Sequence, residues 1–279
     1  MMRFRQVIGV DFSGARLAGD YIWVARTTVG RDRLKLVALD RLSDLCGSSE
    51  RVPALRRLVE LIRESTDSLW GIDFPFALPI EIMPPNARWP EQLAIVVGYS
   101  GGAPEFGRWC LDRAKKLNGP LHIRRSTDRD VATPFDCYHY RIIYQTFHGM
   151  RDVLTPLARD STRIAPFDYP RMSEAGRVVV EACPGSTLKR MRLPHQNYKQ
   201  PAGGPLIAKR RATRHKIVAG LKAHIDIPQE SVRAIMRNPG GDALDAVIAA
   251  LGVHRGWTHA DHDAIAAHPR YPLEGYIYA

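Results

Sequence analysis

Hydrophobic residues fall in short runs over the first eighty positions, and their spacing changes twice. Val7-Ile8-Gly9-Val10 is a continuous apolar run that ends in Asp11 and breaks into Ser13-Gly14, as a buried strand does when it enters a turn. Residues 21–28 are rich in aromatic and β-branched side chains and residues 34–39 alternate, so two further strands are expected as hairpin neighbours of the first. The spacing then becomes helical: Val52, Leu55, Leu58, Val59 and Ile62 mark one face, with charges between them. Residues 69–73 read as a fourth strand, stopped by Pro75 and Pro79. The predicted order is β-β-β-α-β, in which a helix crosses over to a parallel strand.

Between residues 80 and 170 the alternation is lost to prolines, glycines and aromatics, with helices expected near 104–117 and 138–157. This stretch is read as an inserted subdomain or lid within a single 1–279 domain. Residues 178–183 resume a strand pattern that Pro184-Gly185 ends. Helices are expected around 214–224 and 228–237. Asn238-Pro239-Gly240-Gly241 then stops the chain before an Ala-rich helix over 242–253, and residues 274–278 could close it with a strand. The pattern as a whole predicts an α/β fold with a mixed sheet, three antiparallel strands followed by parallel ones, flanked by helices.

Charge adds a prior about partners. Forty Lys+Arg against 29 Asp+Glu leave +11, which favours a polyanion. The excess is concentrated: between Glu181 and Asp226 no acid occurs, whereas Lys189, Arg190, Arg192, Lys199, Lys209, Arg210, Arg211, Arg214, Lys216 and Lys222 do. Such a run is either a solvated face or a phosphate-contacting surface. The four cysteines are scattered without a C-x-x-C pair, which argues against a zinc knuckle or disulfide framework. No apolar stretch approaches the roughly 18 residues of a membrane span. Residues 1–6 lead straight into a strand without a signal-type apolar region, so a cytoplasmic address with no membrane partner is expected.

Three strand-like runs carry one carboxylate each at or near their ends: Asp11, Asp73 and Glu181. Ligands of open α/β sheets gather outside the carboxyl ends of strands, so these acids are expected to converge. Converging carboxylates repel unless cations neutralise them, and an oxygen-only set suits Mg²⁺ or Mn²⁺. Asp242 and Asp245 lie about one turn apart on one helix face, and the small Ala246, Ala249 and Ala250 would let that helix approach the sheet. Each acid also has a plainer reading. Asp242 could be an N-cap and Asp245 a first-turn anion. Asp11 and Asp73 could close Asx-turns, and Lys189 or an arginine could pair Glu181 structurally.

The segments VIGVDFSG (7–14), GIDFPFALP (71–79), VVVEACPG (178–185) and GDALDAVIAAL (241–251), in that order, resemble domain of unknown function 429, a family of predicted RNase H-like nucleases. The closing residues 274–278 resemble that family's ending. The D-x-x-D-A of Asp242 and Asp245 is similar to the last acidic helix of RuvC-type junction resolvases, and Asp11 and Asp73 hold the places of the other acids there. The resemblance implies an RNase H-like fold and two-metal hydrolysis of phosphodiester bonds in a nucleic acid. On this basis Asp11 would bridge the ions, Asp73 and Asp245 would hold one each, Asp242 would assist, and Glu181 would ligate or support. Lys189 and Arg190 would stabilise transition-state charge, and Arg124, Arg125, Lys209, Arg210 and Arg211 would contact nucleic acid. The segment Arg124-Arg125-Ser126-Thr127-Asp128 also looks family-like, but the resemblance gives it no role; the contact expected of Arg124 and Arg125 comes from the mixture of basic and aromatic side chains around them. Aromatics of the 80–170 stretch, among them Tyr138, Tyr140 and Tyr144, either grip unpaired bases or build a local core.

Two other classes compete. A catalytically silent nucleic-acid- or partner-binding domain would keep the fold without the chemistry. An actin-like or sugar-kinase-type ATPase would also open on a strand, Asp, Ser and Gly, but needs a second phosphate-cradling hairpin that Gly101-Gly102 and Gly203-Gly204 supply poorly.

Overall fold

The computed structural model describes residues 4–200 and 203–279. Strands β1 (Gln6–Asp11), β2 (Trp23–Val29), β3 (Leu34–Arg41), β4 (Ser68–Ile72), β5 (Arg163–Ile164), β6 (Arg177–Ala182) and β7 (Ile225–Asp226) form one sheet in the order β5-β6-β4-β1-β2-β3-β7, and β8 (Ile277–Tyr278) also pairs with β6. β2 runs antiparallel to both β1 and β3, while β4 is parallel to β1 and β6 is parallel to β4. The fold is therefore the expected α/β architecture with a mixed sheet. β5 and β7 span two residues each, too short for a hydrophobic pattern to mark them in the sequence.

The two faces of the sheet are covered differently. Ile8, Val10, Trp70, Ile72 and Val179 point to one face, where helix Arg51–Glu64 buries Ala54, Leu55, Leu58, Val59 and Ile62. Val52, counted on that helix's apolar stripe, is instead 66% exposed, because it lies in the first turn where the helix enters from solvent. Val7, Leu69, Val178 and Val180 point to the other face, against helix Asp242–His259. This helix runs six residues past its expected end at Val253, and the extra turns bury Trp257.

The residues between 80 and 170 pack directly on the sheet. Leu93, Phe106, Cys110, Phe147, Met150 and Val153 share one apolar cluster with Ile8, Val10, Trp70 and Ile72, so this stretch covers a face of the sheet. Both helices expected there are present, as Ala103–Lys115 and as Ile143–His148, which continues through a π-turn over Gly149–Leu154 into Thr155–Leu157. A third, Trp89–Gly98, was hidden by Pro90, which breaks a helix interior but is tolerated in a first turn.

The acidic helix lies almost in contact with the sheet backbone. A β-carbon on Gly9 would stand 2.1 Å from the carbonyl oxygen of Ala246 and 2.3 Å from the amide of Ala250. Glycine on β1 facing alanines on the helix therefore sets the helix height, and with it the height of Asp242 and Asp245 above the strand ends.

Candidate functional site

Asp11 is the last residue of β1, and Asp73 directly follows β4, its amide donating to the Val10 carbonyl at 3.0 Å. The two neighbouring parallel strands thus deliver their acids side by side. Asp242 and Asp245 reach the same place from the acidic helix, and all four line one cavity of about 770 Å³.

The turn before that helix explains why Asp242 is available. Gly241 occupies the N-cap with φ 94°, a left-handed conformation that favours glycine. The Asn238 side-chain oxygen accepts from the amides of Gly241 and Ala243 at 2.9 and 3.1 Å, and its Nδ2 donates to Asp242 at 3.0 Å. Asn238 therefore satisfies the helix start, and the N-cap role considered for Asp242 is not the one it takes. Asp11 and Asp73 close no Asx-turn either: among the described residues, neither carboxylate accepts a hydrogen bond.

The electrostatics follow from this crowding. Burial pushes the Asp11 carboxyl well above the usual range; Lys199 opposes the shift, and Asp245, Asp242 and Asp73 add repulsion. Asp242 is raised as well, chiefly by burial, against the Asn238 hydrogen bond and Lys199. Asp245 is held by the Tyr198 hydroxyl, which donates at 2.9 Å, and by an ion pair with Lys199. Burial works against the Lys199 ammonium, but Asp245 and Asp11 carry its pKa well above the ordinary lysine value.

Asp73 gives a pH dependence that can be measured. Burial and Asp245 push its carboxyl up to about 7, against the pull of Lys199. Between roughly pH 4, its unfolded value, and pH 7 the folded state binds the extra proton, so stability falls as pH rises through that window. The full shift would be worth about 1.4 kcal/mol per pH unit, but Asp73 borders the cavity and solvent there leaves on the order of 1–2 kcal/mol. Urea unfolding in EDTA should show the wild type losing that much more than Asp73→Asn between about pH 4.5 and pH 8. Equal losses in the two proteins would mean that Asp73 titrates normally.

Glu181 lines the same cavity and adds to the repulsion on Asp73, but it comes from the other face of the sheet for a reason of register. It pairs with Ile72 across β4 and β6, and Ile72 pairs with Val10, so all three side chains point to the face opposite Gly9 and Asp11. There Glu181 is buried and receives Arg125 at 2.8 Å (Nη1) and 2.5 Å (Nη2), together with the Phe76 amide at 3.0 Å. Of the two readings left open for it, the structural pairing with an arginine is the one present. Burial still raises its carboxyl, opposed by Arg125.

This changes the reading of Arg125, expected at a nucleic-acid surface. Its side chain is fully buried, and it also donates to both oxygens of Asp128, at 3.0 and 2.8 Å, and to the Glu274 carbonyl at 3.0 Å. Thr127 Oγ1 accepts from the Ile277 amide at 2.8 Å, and the Ser126 amide donates to Glu274 at 3.1 Å. The Arg124–Asp128 segment thus ties the chain terminus and β6 together at the cavity wall, which Arg125 and Asp128 help to line. Lys189 and Arg190, expected near the reacting phosphate, do not line the cavity; they donate to the carbonyls of Ala132 and Ala279 at 2.7 and 2.6 Å. Arg124 is exposed and reaches the Pro134 carbonyl. Lys209, Arg210 and Arg211 lie on helix Ala208–Leu221, with Lys209 and Arg211 exposed and Arg210 half-buried.

Three residues of the basic stretch gain roles that sequence reading did not assign. Tyr198 and Lys199 enter the acidic cavity, and Arg214 is fully buried behind them. Arg214 donates to the carbonyls of Tyr198 (2.6 Å), Ile235 (2.8 Å), Pro239 (2.6 Å) and Asn238, which fastens the Tyr198-Lys199 loop to the turn before Asp242. The available signal was the placement of Tyr-Lys in a segment without acids, where a cation has no local partner.

The donor set is the oxygen-only kind that suits a hard divalent cation. Among the described residues no three His, Cys, Asp or Glu side chains are gathered into a ready-made ligand cluster, and Lys199 supplies positive charge to the acids. No family model, no curated protein and no solved structure matches the chain.

Proposed function

We propose that this chain is a metal-dependent nuclease of the RNase H-like kind, hydrolysing phosphodiester bonds of a nucleic acid at the acidic cavity. The observation that carries the reading is the pair Asp11 and Asp73: two adjacent carboxylates at parallel strand ends, without hydrogen-bond donors, facing a cavity that also receives Asp242 and Asp245. Ionised acids left without donors, as Asp11 and Asp73 are, are costly in a half-buried site, and Lys199 and Arg214 together cannot balance four acids.

When bound, one or two Mg²⁺ or Mn²⁺ ions would supply Lewis-acid charge for a phosphoryl oxygen and lower the pKa of a water. Asp11 and Asp73 are the residues that would hold them first, with Asp245 and Asp242 completing the set. Tyr198 orients Asp245 through its hydroxyl, and Lys199 places an ammonium where phosphate charge would enter. Glu181 supports the site at the cavity wall, by fixing the Phe76 amide and Arg125. Lys209, Arg210 and Arg211, which make no side-chain hydrogen bond or ion pair with described residues, provide phosphate contacts away from the cavity.

A second reading rests on the Lys199–Asp245 ion pair and the unclosed ligand set: a nucleic-acid-binding domain that keeps the fold and is catalytically silent. A cleavage panel separates the two. Single-stranded DNA, duplex, four-way junction, RNA and RNA–DNA hybrid are incubated with Mn²⁺, Mg²⁺ or EDTA. The nuclease predicts cleavage of at least one substrate that EDTA stops. Binding without cleavage selects the silent domain, and neither binding nor cleavage removes both readings.

A further inference from the structure

The residues between helix Ser126–Asp130 and helix Ile143–His148 carry a run of π surfaces that starts at the acidic cavity and leads outward. Phe135 lines the cavity wall. The His139 ring stacks on it at 4.4 Å and 22°, and Tyr140 lies 4.4 Å beyond His139. Arg141 sits beside both ends of the run, its guanidinium 5.5 Å from the Phe135 ring centre and 5.6 Å from that of Tyr140, while its Nε donates to the Tyr140 hydroxyl at 3.0 Å.

The loop beneath is held in place. Asp136 accepts from the Tyr138 amide at 3.1 Å and pairs with His122 at 2.8 Å, and the Thr133 hydroxyl donates to the Phe135 carbonyl at 3.0 Å. Yet Tyr140 is 70% exposed. An aromatic ring fixed in water by a neighbouring cation is poorly suited to an apolar protein partner. It is well suited to a ligand that brings a flat π face and a negative charge together.

We propose that Phe135, His139, Tyr140 and Arg141 form a stacking platform for an unpaired base of a single-stranded polynucleotide whose backbone enters the acidic cavity. This rests on the nuclease reading and names its substrate class: a single strand, or a strand unpaired near the scissile phosphate. Duplex bases are already stacked on each other and offer the platform no free face. Stacking is tolerant of base identity, so the platform selects strandedness and leaves sequence unread.

The test is fluorescence anisotropy in EDTA with labelled oligo-dT, oligo-U and a blunt duplex, comparing wild type, Tyr140→Ala and Tyr140→Trp. Because Tyr140 is largely exposed, its replacement spares the core. Tyr140→Ala should weaken single-strand binding roughly tenfold, leave duplex binding within about twofold, and be rescued by Tyr140→Trp. Binding of either oligo-dT or oligo-U with this pattern supports the platform and names the polymer. An unchanged single-strand affinity in Tyr140→Ala, an equal loss on duplex, or no single-strand binding by the wild type overturns it. Since EDTA removes any need for metal, the platform can pass while the cleavage panel fails, or fail while cleavage proceeds.

Discussion

Asp11→Asn is expected to abolish the metal-dependent cleavage of any polynucleotide the wild-type chain cuts, while unfolding stays cooperative with a midpoint in EDTA that is unchanged or higher. The two halves of this result have one cause. Asp11 is buried at the end of the central β1 strand, it accepts no hydrogen bond from a described residue, and burial together with three neighbouring acids raises its carboxyl pKa. Lys199 offsets only part of this cost, so removal of the charge gives up one attraction and relieves burial and the repulsion of three acids. The charge does suit a cation, and losing several kcal/mol of transition-state stabilisation slows a reaction on the order of a thousandfold or more. Cleavage rate with Mn²⁺ and thermal unfolding in EDTA are the two measurements. Full activity in the variant would remove the proposed metal site; a large drop in midpoint would show that Asp11 is structural.

Arg125→Ala is expected to act in the opposite sense, costing about 3–5 kcal/mol of stability. The guanidinium is buried between Asp128 and Glu181 and bonds the Glu274 carbonyl, and those two acids hold its pKa well above the ordinary value against the opposing effect of burial. Its removal leaves two carboxylates in the interior without their cation. Arg125→Lys should recover little, since one ammonium cannot reproduce the planar fork that spans Asp128 and Glu181. Chemical denaturation measures the loss. A variant that kept its stability but lost nucleic-acid affinity would restore the surface role that the sequence suggested.

These two residues also show where sequence reading succeeds and where it stops. The strands that carry Asp11 and Glu181 and the one that Asp73 follows were readable because a buried parallel strand is a continuous apolar run, and a carboxylate at or just past its end interrupts the pattern visibly. The acidic helix was readable from its small residues and from the D-x-x-D spacing. What misled was treating all acids at strand ends as equivalent. A strand alternates faces with every residue, so Glu181, in register with Val10 and Ile72, reaches the cavity from the face opposite Asp11, where Arg125 pairs it, and only the pairing of β4 with β6 reveals this. Arg125 and Arg214 read as surface charge because composition carries no information on burial, and both proved fully buried.

By itself, then, the sequence determined most of the longer elements, the mixed sheet, and the five acids that line one cavity. These depend on local periodicity and on short-range spacing, which the chain carries at every point. Only the tertiary structure decided that Glu181 belongs to Arg125, that Tyr198 and Lys199 enter the acidic cavity, and that residues 80–170 cover a face of the sheet. Those outcomes depend on strand register and on contacts between residues dozens to more than a hundred positions apart, such as Glu181 with Arg125 and Thr127 with Ile277. Such contacts are selected by global packing and have no signature in any local window of the chain.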